Sequence, residues 1–129
     1  MSGPTHVLNW QFGWWLLLFA FITGAGLGLL FHRDDFLGGY NSFRRRIVRL
    51  GHIALAALGM LNVLFSYSPW PLPTTTMGAG ASIGFAVGGV AMPAVCFLTG
   101  WRESCRHLFF IPVIALLLAV VFTIIGGTP

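Results

Sequence analysis

The residues best suited to chemistry gather towards one end of the apolar segments of this chain. Three histidines, His32, His52 and His107, lie at or close to the ends of such segments. Cys96 lies near the end of the third segment, with Met92 about one helical turn before it. Imidazole, thiol and thioether groups are ligands for haem iron, copper or zinc. Ionisable groups in membrane segments are functional candidates by default, because lipid solvates them poorly.

A b-type haem is one cofactor that this pattern could hold. Such a haem needs two axial histidines at matching depth, small residues beside the porphyrin and cations near its propionates. His52 and His107 meet the depth condition, Gly59 is a nearby small residue, and Arg49 and Arg106 supply the cations. A small electron carrier with haem b would therefore use His52, His107, Arg49 and Arg106 as its cofactor-binding residues.

Copper or another metal would use a different set of residues. His32, His52, Met92 and Cys96 combine nitrogen and sulfur donors, which suit copper. A quinone would need only one histidine or arginine to bond its carbonyl oxygen. The simplest alternative is that no cofactor binds, since histidines near a membrane surface often bond a neighbouring carbonyl or a headgroup.

Carboxylates are absent from the apolar segments, because Asp34, Asp35 and Glu103 all fall in predicted loops. A proton-coupled four-helix exporter requires a carboxylate within the membrane, so this class of transporter is disfavoured. The sequence also contains no Ser/His/Asp arrangement and no HExxH motif. These features favour a non-enzymatic role.

The composition is that of a membrane protein. Of 129 residues, 57% are hydrophobic and 8% are charged, and the mean hydropathy is +0.85. A soluble domain carries about a quarter charged residues, so lipid must replace water over most of this exterior. The seven basic residues are arginines that flank apolar segments. This placement indicates topology determinants and predicts no nucleic-acid partner.

Four apolar stretches are long enough to cross a bilayer, which takes roughly 20 residues in a helix. They cover about residues 14–31, 47–67, 77–99 and 106–125. The sequence predicts a single all-α integral membrane domain over residues 1–129, a bundle of four transmembrane helices. Pro93 and Pro112 fall inside the third and fourth stretches, where each is expected to kink its helix.

The arginines also predict the orientation of the bundle. All seven lie in or beside the first and third connections, and the termini and second connection hold none. By the positive-inside rule, the arginine-bearing loops are cytoplasmic and both termini are on the outer, periplasmic side. We therefore expect a multi-pass protein of the bacterial cytoplasmic (inner) membrane.

Small residues mark close helix packing in lipid. Gly24 and Gly28 form such a motif in the first helix. The third helix carries Gly80, Gly84 and Gly88 at four-residue spacing, which predicts that it is the most enclosed element. The fourth helix is uniformly bulky and apolar, so it is expected to face lipid or a partner.

Helical periodicity predicts which faces meet. One face of the first helix is formed by four residues: Phe21, Ala25, Gly28 and His32. We expect this face to converge with the small-residue face of the second helix, which carries His52, and with the Met92–Cys96 stripe of the third. Thr23 and Asn62 are expected to form hydrogen bonds between helices.

These observations favour a small accessory or assembly subunit of a larger inner-membrane complex, with respiratory complexes as the leading class. The expected partners are the lipid bilayer and either another membrane protein or further copies of the chain. The haem b electron carrier and the metal-handling protein are the alternatives.

Overall fold

The computed structural model describes residues 3–127, and helices are the only regular elements in that range. The four α-helices are α1 (Val7–Leu30), α2 (Phe43–Ser66), α3 (Thr76–Trp101) and α4 (Phe110–Gly126). A 3-10 turn, Phe36–Gly38, lies between α1 and α2, and a 3-10 segment, Glu103–Phe109, leads into α4. Helices α1 to α3 and the combined segment Glu103–Gly126 are long and apolar enough to cross a membrane. The four predicted spans are thus confirmed by length and composition.

Consecutive helices pack as antiparallel neighbours. Helix α1 packs on α2, α2 on α3, and α3 on α4, while α1 and α3 share a smaller contact. In the most apolar stretch of α3, 39% of the residues are buried, against 11% in the most apolar stretch of Glu103–Gly126. The prediction that the third helix is the most enclosed is confirmed. We call the end with the α1–α2 and α3–α4 connections the arginine end, and the end with residues 67–75 the proline end.

Short polar motifs define where α2 and α3 begin. The Ser42 hydroxyl oxygen accepts from the Arg45 amide at 3.1 Å, and the Thr75 hydroxyl oxygen accepts from the Gly78 amide at 3.0 Å. Each satisfies one of the free amides of a first helical turn. The turn before α2 uses Gly38 and Gly39 with φ of 86° and 93°, a conformation that favours glycine.

The two helix prolines have different positions. Pro93 lies inside α3, as predicted. Pro112 was predicted to lie inside the fourth helix and to kink it. The α-helical geometry begins only at Phe110, so Pro112 lies in the first turn of α4. An amide in the first turn has no partner within the helix, so proline removes no bond there. The residues before it, Glu103–Phe109, form the 3-10 segment instead.

Glycine allows backbone contact between α1 and α2. A Cβ atom on Gly13 would lie 2.7 Å from the Gly59 carbonyl oxygen and 2.8 Å from the Val63 amide nitrogen. Gly24 faces the His52 ring, whereas a Cβ on Gly28 would meet nothing within 4 Å. Of the predicted packing motif, Gly24 contacts α2 and Gly28 does not. The closest approach of α1 to α2 is at Gly13, nearer the proline end.

The face predicted for α1 is wrong. Four residues expected to point inward are exposed: Phe21, Ala25, Gly28 and His32. The buried residues of α1 are Asn9, Gly13, Leu16 and Ala20. Gly13 and Ala20 let the helix axes approach closely, and dispersion contacts are strongest at close approach.

The glycine stripe of α3, which predicted an enclosed helix, faces α4. A Cβ on Gly80 would meet the Phe122 ring at 2.7 Å, and one on Gly88 would meet the Leu116 side chain at 2.4 Å. Between them, a Cβ on Gly84 would lie 2.8 Å from the Ala115 carbonyl oxygen. The three glycines therefore form the surface on which α4 packs.

Two arginines at the start of α2 bind the C-terminal ends of its neighbours. Arg45 is buried and donates from Nη2 to the Phe31 carbonyl oxygen at 2.7 Å, with its guanidinium 4.3 Å from the Phe31 ring centroid. Arg44 donates from Nε to the Gly100 carbonyl oxygen at 2.7 Å. Carbonyl groups at a helix C-terminus lack internal donors and carry partial negative charge. The guanidinium groups of Arg44 and Arg45 supply the missing donors and interact favourably with the partial negative charge.

Replacing Gly13 with alanine should destabilise the bundle by about 2 kcal/mol, because the added methyl group overlaps the backbone of α2. Thermal unfolding in detergent measures the effect. Gly28→Ala is the matched control and should be neutral or slightly stabilising, since alanine favours the helix and the methyl group meets nothing. Equal effects of the two substitutions would contradict the Gly13–Gly59 contact.

Arg45→Ala should lower the free energy of unfolding by about 2 kcal/mol, because it removes a charged hydrogen bond and leaves the Phe31 carbonyl group without a donor. Arg46→Ala removes the same charge from an exposed side chain and should change stability little. Denaturation of both variants in the same detergent gives the comparison. A loss of stability in Arg46→Ala as large as in Arg45→Ala would indicate a general charge effect instead.

Candidate functional site

His52 and Thr23 form a polar pair between α2 and α1. His52 Nδ1 lies 3.1 Å from Thr23 Oγ1, and the edge of the imidazole ring lies against Gly24. An added Cβ at Gly24 would be 2.8 Å from His52 Cε1, so only glycine leaves room for the ring at this position. The prediction that Thr23 bonds between helices is confirmed.

A cavity of about 280 Å³ lies beside this pair, and we call it the α1–α2 cavity. Its lining consists of apolar residues and one imidazole: Leu17, Ala20, Phe21, Gly24, Ala25, His52 and Ala56. Phe21 and Ala25 are exposed on the bundle surface, so the cavity opens sideways between the helices. A ligand dissolved in lipid could therefore reach it without passing through water.

The residues predicted for haem have different neighbours in the structure. His52 faces α1, whereas His107 is exposed in the 3-10 segment Glu103–Phe109, which packs on α3. Arg106 is exposed in that same segment, and the Arg49 guanidinium lies 6.0 Å from the Tyr40 ring centroid. The structure does not bring the two histidines together, and haem ligation by this pair stays a prediction.

The residues predicted for a metal are also separated. Within residues 3–127 no group of three or more His, Cys, Asp or Glu side chains could hold a metal ion. His32 is exposed beyond the end of α1, and Cys96 is buried with its Cβ atom close to Gly51 of α2. Met92 is half-buried one turn before Cys96. The predicted convergence fails because Gly51 and His52 are adjacent residues that face α3 and α1 respectively.

A second polar cluster joins three helices, and it lies closer to the proline end than the His52–Thr23 pair does. Asn9 Nδ2 donates to Asn62 Oδ1 at 2.8 Å and to the Ser82 carbonyl oxygen at 3.1 Å. Asn62 Nδ2 donates to the Phe85 carbonyl oxygen at 3.1 Å, and the Ser82 hydroxyl donates to Asn9 Oδ1 at 2.5 Å. The interhelical role predicted for Asn62 is confirmed. Both asparagines are fully buried, so this cluster holds α1, α2 and α3 together.

His6 adds a buried polar contact at the proline end. Its Nε2 atom donates to the Pro71 carbonyl oxygen at 3.0 Å, and its ring centroid lies 4.3 Å from that of Phe65. The Thr5 and His6 amides both donate to the Ser66 carbonyl oxygen. Burial lowers the pKa of His6, and the bond to the Pro71 carbonyl group opposes this effect only in part.

His6 and Asn9 were not predicted as functional residues, because the predicted first span begins at residue 14, whereas α1 begins at Val7. The signal that could have found them is the aromatic run of Trp10, Trp14 and Trp15. Tryptophans prefer the membrane interface, so a helix that carries them extends beyond the purely apolar stretch.

No family model, curated protein or solved structure matches this chain. Its function must therefore be inferred from the geometry of its own residues.

Acidification should destabilise the folded chain through His6. Because the pKa of His6 is lowered on folding from its ordinary value of 6.5, the unfolded chain binds the proton more readily. This contribution to stability is complete above pH 6.5 and is lost as the pH falls towards the lowered pKa. In His6→Gln the side-chain amide still donates to Pro71, so the difference between melting temperatures above and below pH 6.5 should shrink.

His32→Gln is the matched control, since it changes an exposed histidine at the arginine end of α1. It should leave the pH dependence of melting as in the unsubstituted chain. If His32→Gln reduced that dependence and His6→Gln did not, the assignment to His6 would be wrong.

Proposed function

We propose that this chain is a small accessory or assembly subunit of a larger complex in the bacterial inner membrane, with respiratory complexes as the leading class. The observation that carries the proposal is the arrangement of α4. This helix packs chiefly on α3, and the span that contains it is the least buried of the four. A helix seated on one neighbour keeps a second face that can pack on another membrane protein.

The exposed face of α4 is built for close contact between apolar surfaces. Bulky aliphatic side chains cover it without a polar interruption: Ile114, Leu117, Leu118, Val121 and Ile124. Its one hydroxyl group, on Thr123, donates to the Ala119 carbonyl oxygen within the helix. Association of this face with a partner would therefore rest on shape and dispersion, as is usual for helices in lipid.

The use of polar side chains inside the bundle also supports an accessory role. Asn9, Asn62 and Ser82 bond to one another and to backbone carbonyl groups. Thr23 and His52 form a further polar contact between spans. Side chains in a transport path must exchange partners with the substrate, whereas these connect the helices of the bundle.

Photo-crosslinking in the native membrane tests the accessory role. A photoreactive residue at Leu117, which is exposed on α4, should form an adduct with one defined membrane protein. The matched control is Leu29, which is exposed on α1 and should give lipid adducts only. The complex that contains the captured protein should also lose abundance when this chain is deleted.

Three results would overturn the proposal. Lipid adducts alone at Leu117 would leave α4 without a partner, and crosslinks only between copies of the chain would indicate a homo-oligomer. A haem absorption band in the purified protein that is lost in His52→Ala would replace the accessory role with that of an electron carrier.

A further inference from the structure

The hydrogen bonds of Thr23 favour one position for the proton of His52. Thr23 Oγ1 donates its single proton to backbone carbonyl groups of its own helix, with Phe19 O at 2.8 Å and Ala20 O at 3.2 Å. With its proton in these bonds, the hydroxyl oxygen can accept from the Nδ1–H group of His52, 3.1 Å away. A neutral imidazole has one N–H group. This arrangement favours the proton on Nδ1, which leaves Nε2 with an unshared lone pair.

The Nε2 lone pair lies in apolar surroundings. It forms no hydrogen bond to any side chain or backbone group between residues 3 and 127, and the ring lines the α1–α2 cavity. Every other residue of that lining is apolar, with Ala20, Ala25 and Ala56 keeping the space open. A hydrogen-bond acceptor without a donor in lipid is unfavourable, because nothing replaces the hydrogen bond that it would form in water. A ligand that brings a donor would recover this free energy.

The character of the site restricts the class of ligand. A bare copper or zinc ion needs three or four protein ligands, and the cavity supplies one. A ketone or quinone carbonyl group is an acceptor and cannot bond a second acceptor. A hydroxyl group on a small apolar ring fits both the lone pair and the walls. Since the cavity opens between exposed Phe21 and Ala25, the ligand would arrive from the bilayer.

We propose that the α1–α2 cavity binds the head group of a membrane quinol, with one ring hydroxyl donating to His52 Nε2. The isoprenoid tail then extends past Phe21 into lipid. Thr23 acts as a positioning residue, because its acceptance from Nδ1–H keeps the lone pair on Nε2. This site does not depend on the accessory role of α4, because α4 packs on α3 and the cavity lies between α1 and α2.

Binding of decylubiquinol to the protein in lipid nanodiscs tests the site, with histidine labelled by ¹⁵N. Before addition, the His52 resonances should show a protonated Nδ1 and an unprotonated Nε2. Decylubiquinol should shift the Nε2 resonance and bind about fivefold more tightly than decylubiquinone, because the oxidised head group lacks the hydroxyl proton and one hydrogen bond is lost.

Variants separate the cavity from the hydrogen bond. Ala25→Leu fills the cavity from an exposed position and should weaken binding of both redox forms, whereas Ala57→Leu, exposed on α2 outside the lining, should not. Thr23→Val keeps the shape of residue 23 but removes the acceptor for Nδ1. It should abolish the preference for the quinol while weak binding persists.

Several outcomes would overturn the assignment. Equal affinity for quinol and quinone would show that Nε2 does not act as the acceptor. Tighter binding of diplopterol, a polycyclic alcohol, with the same Nε2 shift would assign the cavity to another hydroxyl-bearing lipid. An unchanged Nε2 resonance with all three probes would mean that the cavity holds none of them.

Discussion

The bundle depends on two guanidinium groups that join three helices at one level. Arg44 and Arg45 are adjacent at the start of α2, and each bonds the C-terminal end of a different neighbour. Adjacent residues project about 100° apart around a helix, so one arginine can reach α1 and the other α3. These bonds fix the axial positions of both neighbours relative to α2. They help to place Thr23 opposite His52, about two turns from the C-terminal end of α1.

Much of this architecture could be predicted because lipid makes strong demands on sequence. The four spans follow from apolar length, and the enclosure of α3 follows from Gly80, Gly84 and Gly88. Asn62 could be assigned to an interhelical bond because an amide in lipid needs a partner. The arginines were predicted as topology determinants, a role that concerns only their charge. Their use as caps depends on where neighbouring helices end, which composition does not specify.

The site was predicted only in part, for two physical reasons. The orientation of α1 was wrong because glycines at positions 24 and 28 look equivalent in sequence, while the competing contact at Gly13 lay outside the predicted span. His52 was identified, but its relation to Thr23 requires the rotation of α1 about its axis. A rotation of α1 by one residue, about 100°, is enough to move a side chain from the contact with α2 to the exposed surface. Pairs of side chains from different helices are therefore less predictable than the helices themselves.

The two cysteines differ in accessibility, and this difference allows the opening of the bundle to be measured. Cys96 is buried against α2, with its Cβ atom 2.9 Å from where a Cβ on Gly51 would lie, whereas Cys105 is half-buried outside the α-helices. A thiol-directed reagent can reach the first sulfur only when α2 and α3 separate. The rate at which Cys96 is modified, relative to that of Cys105, therefore measures how often α2 and α3 separate, and no cysteine has to be introduced for the measurement.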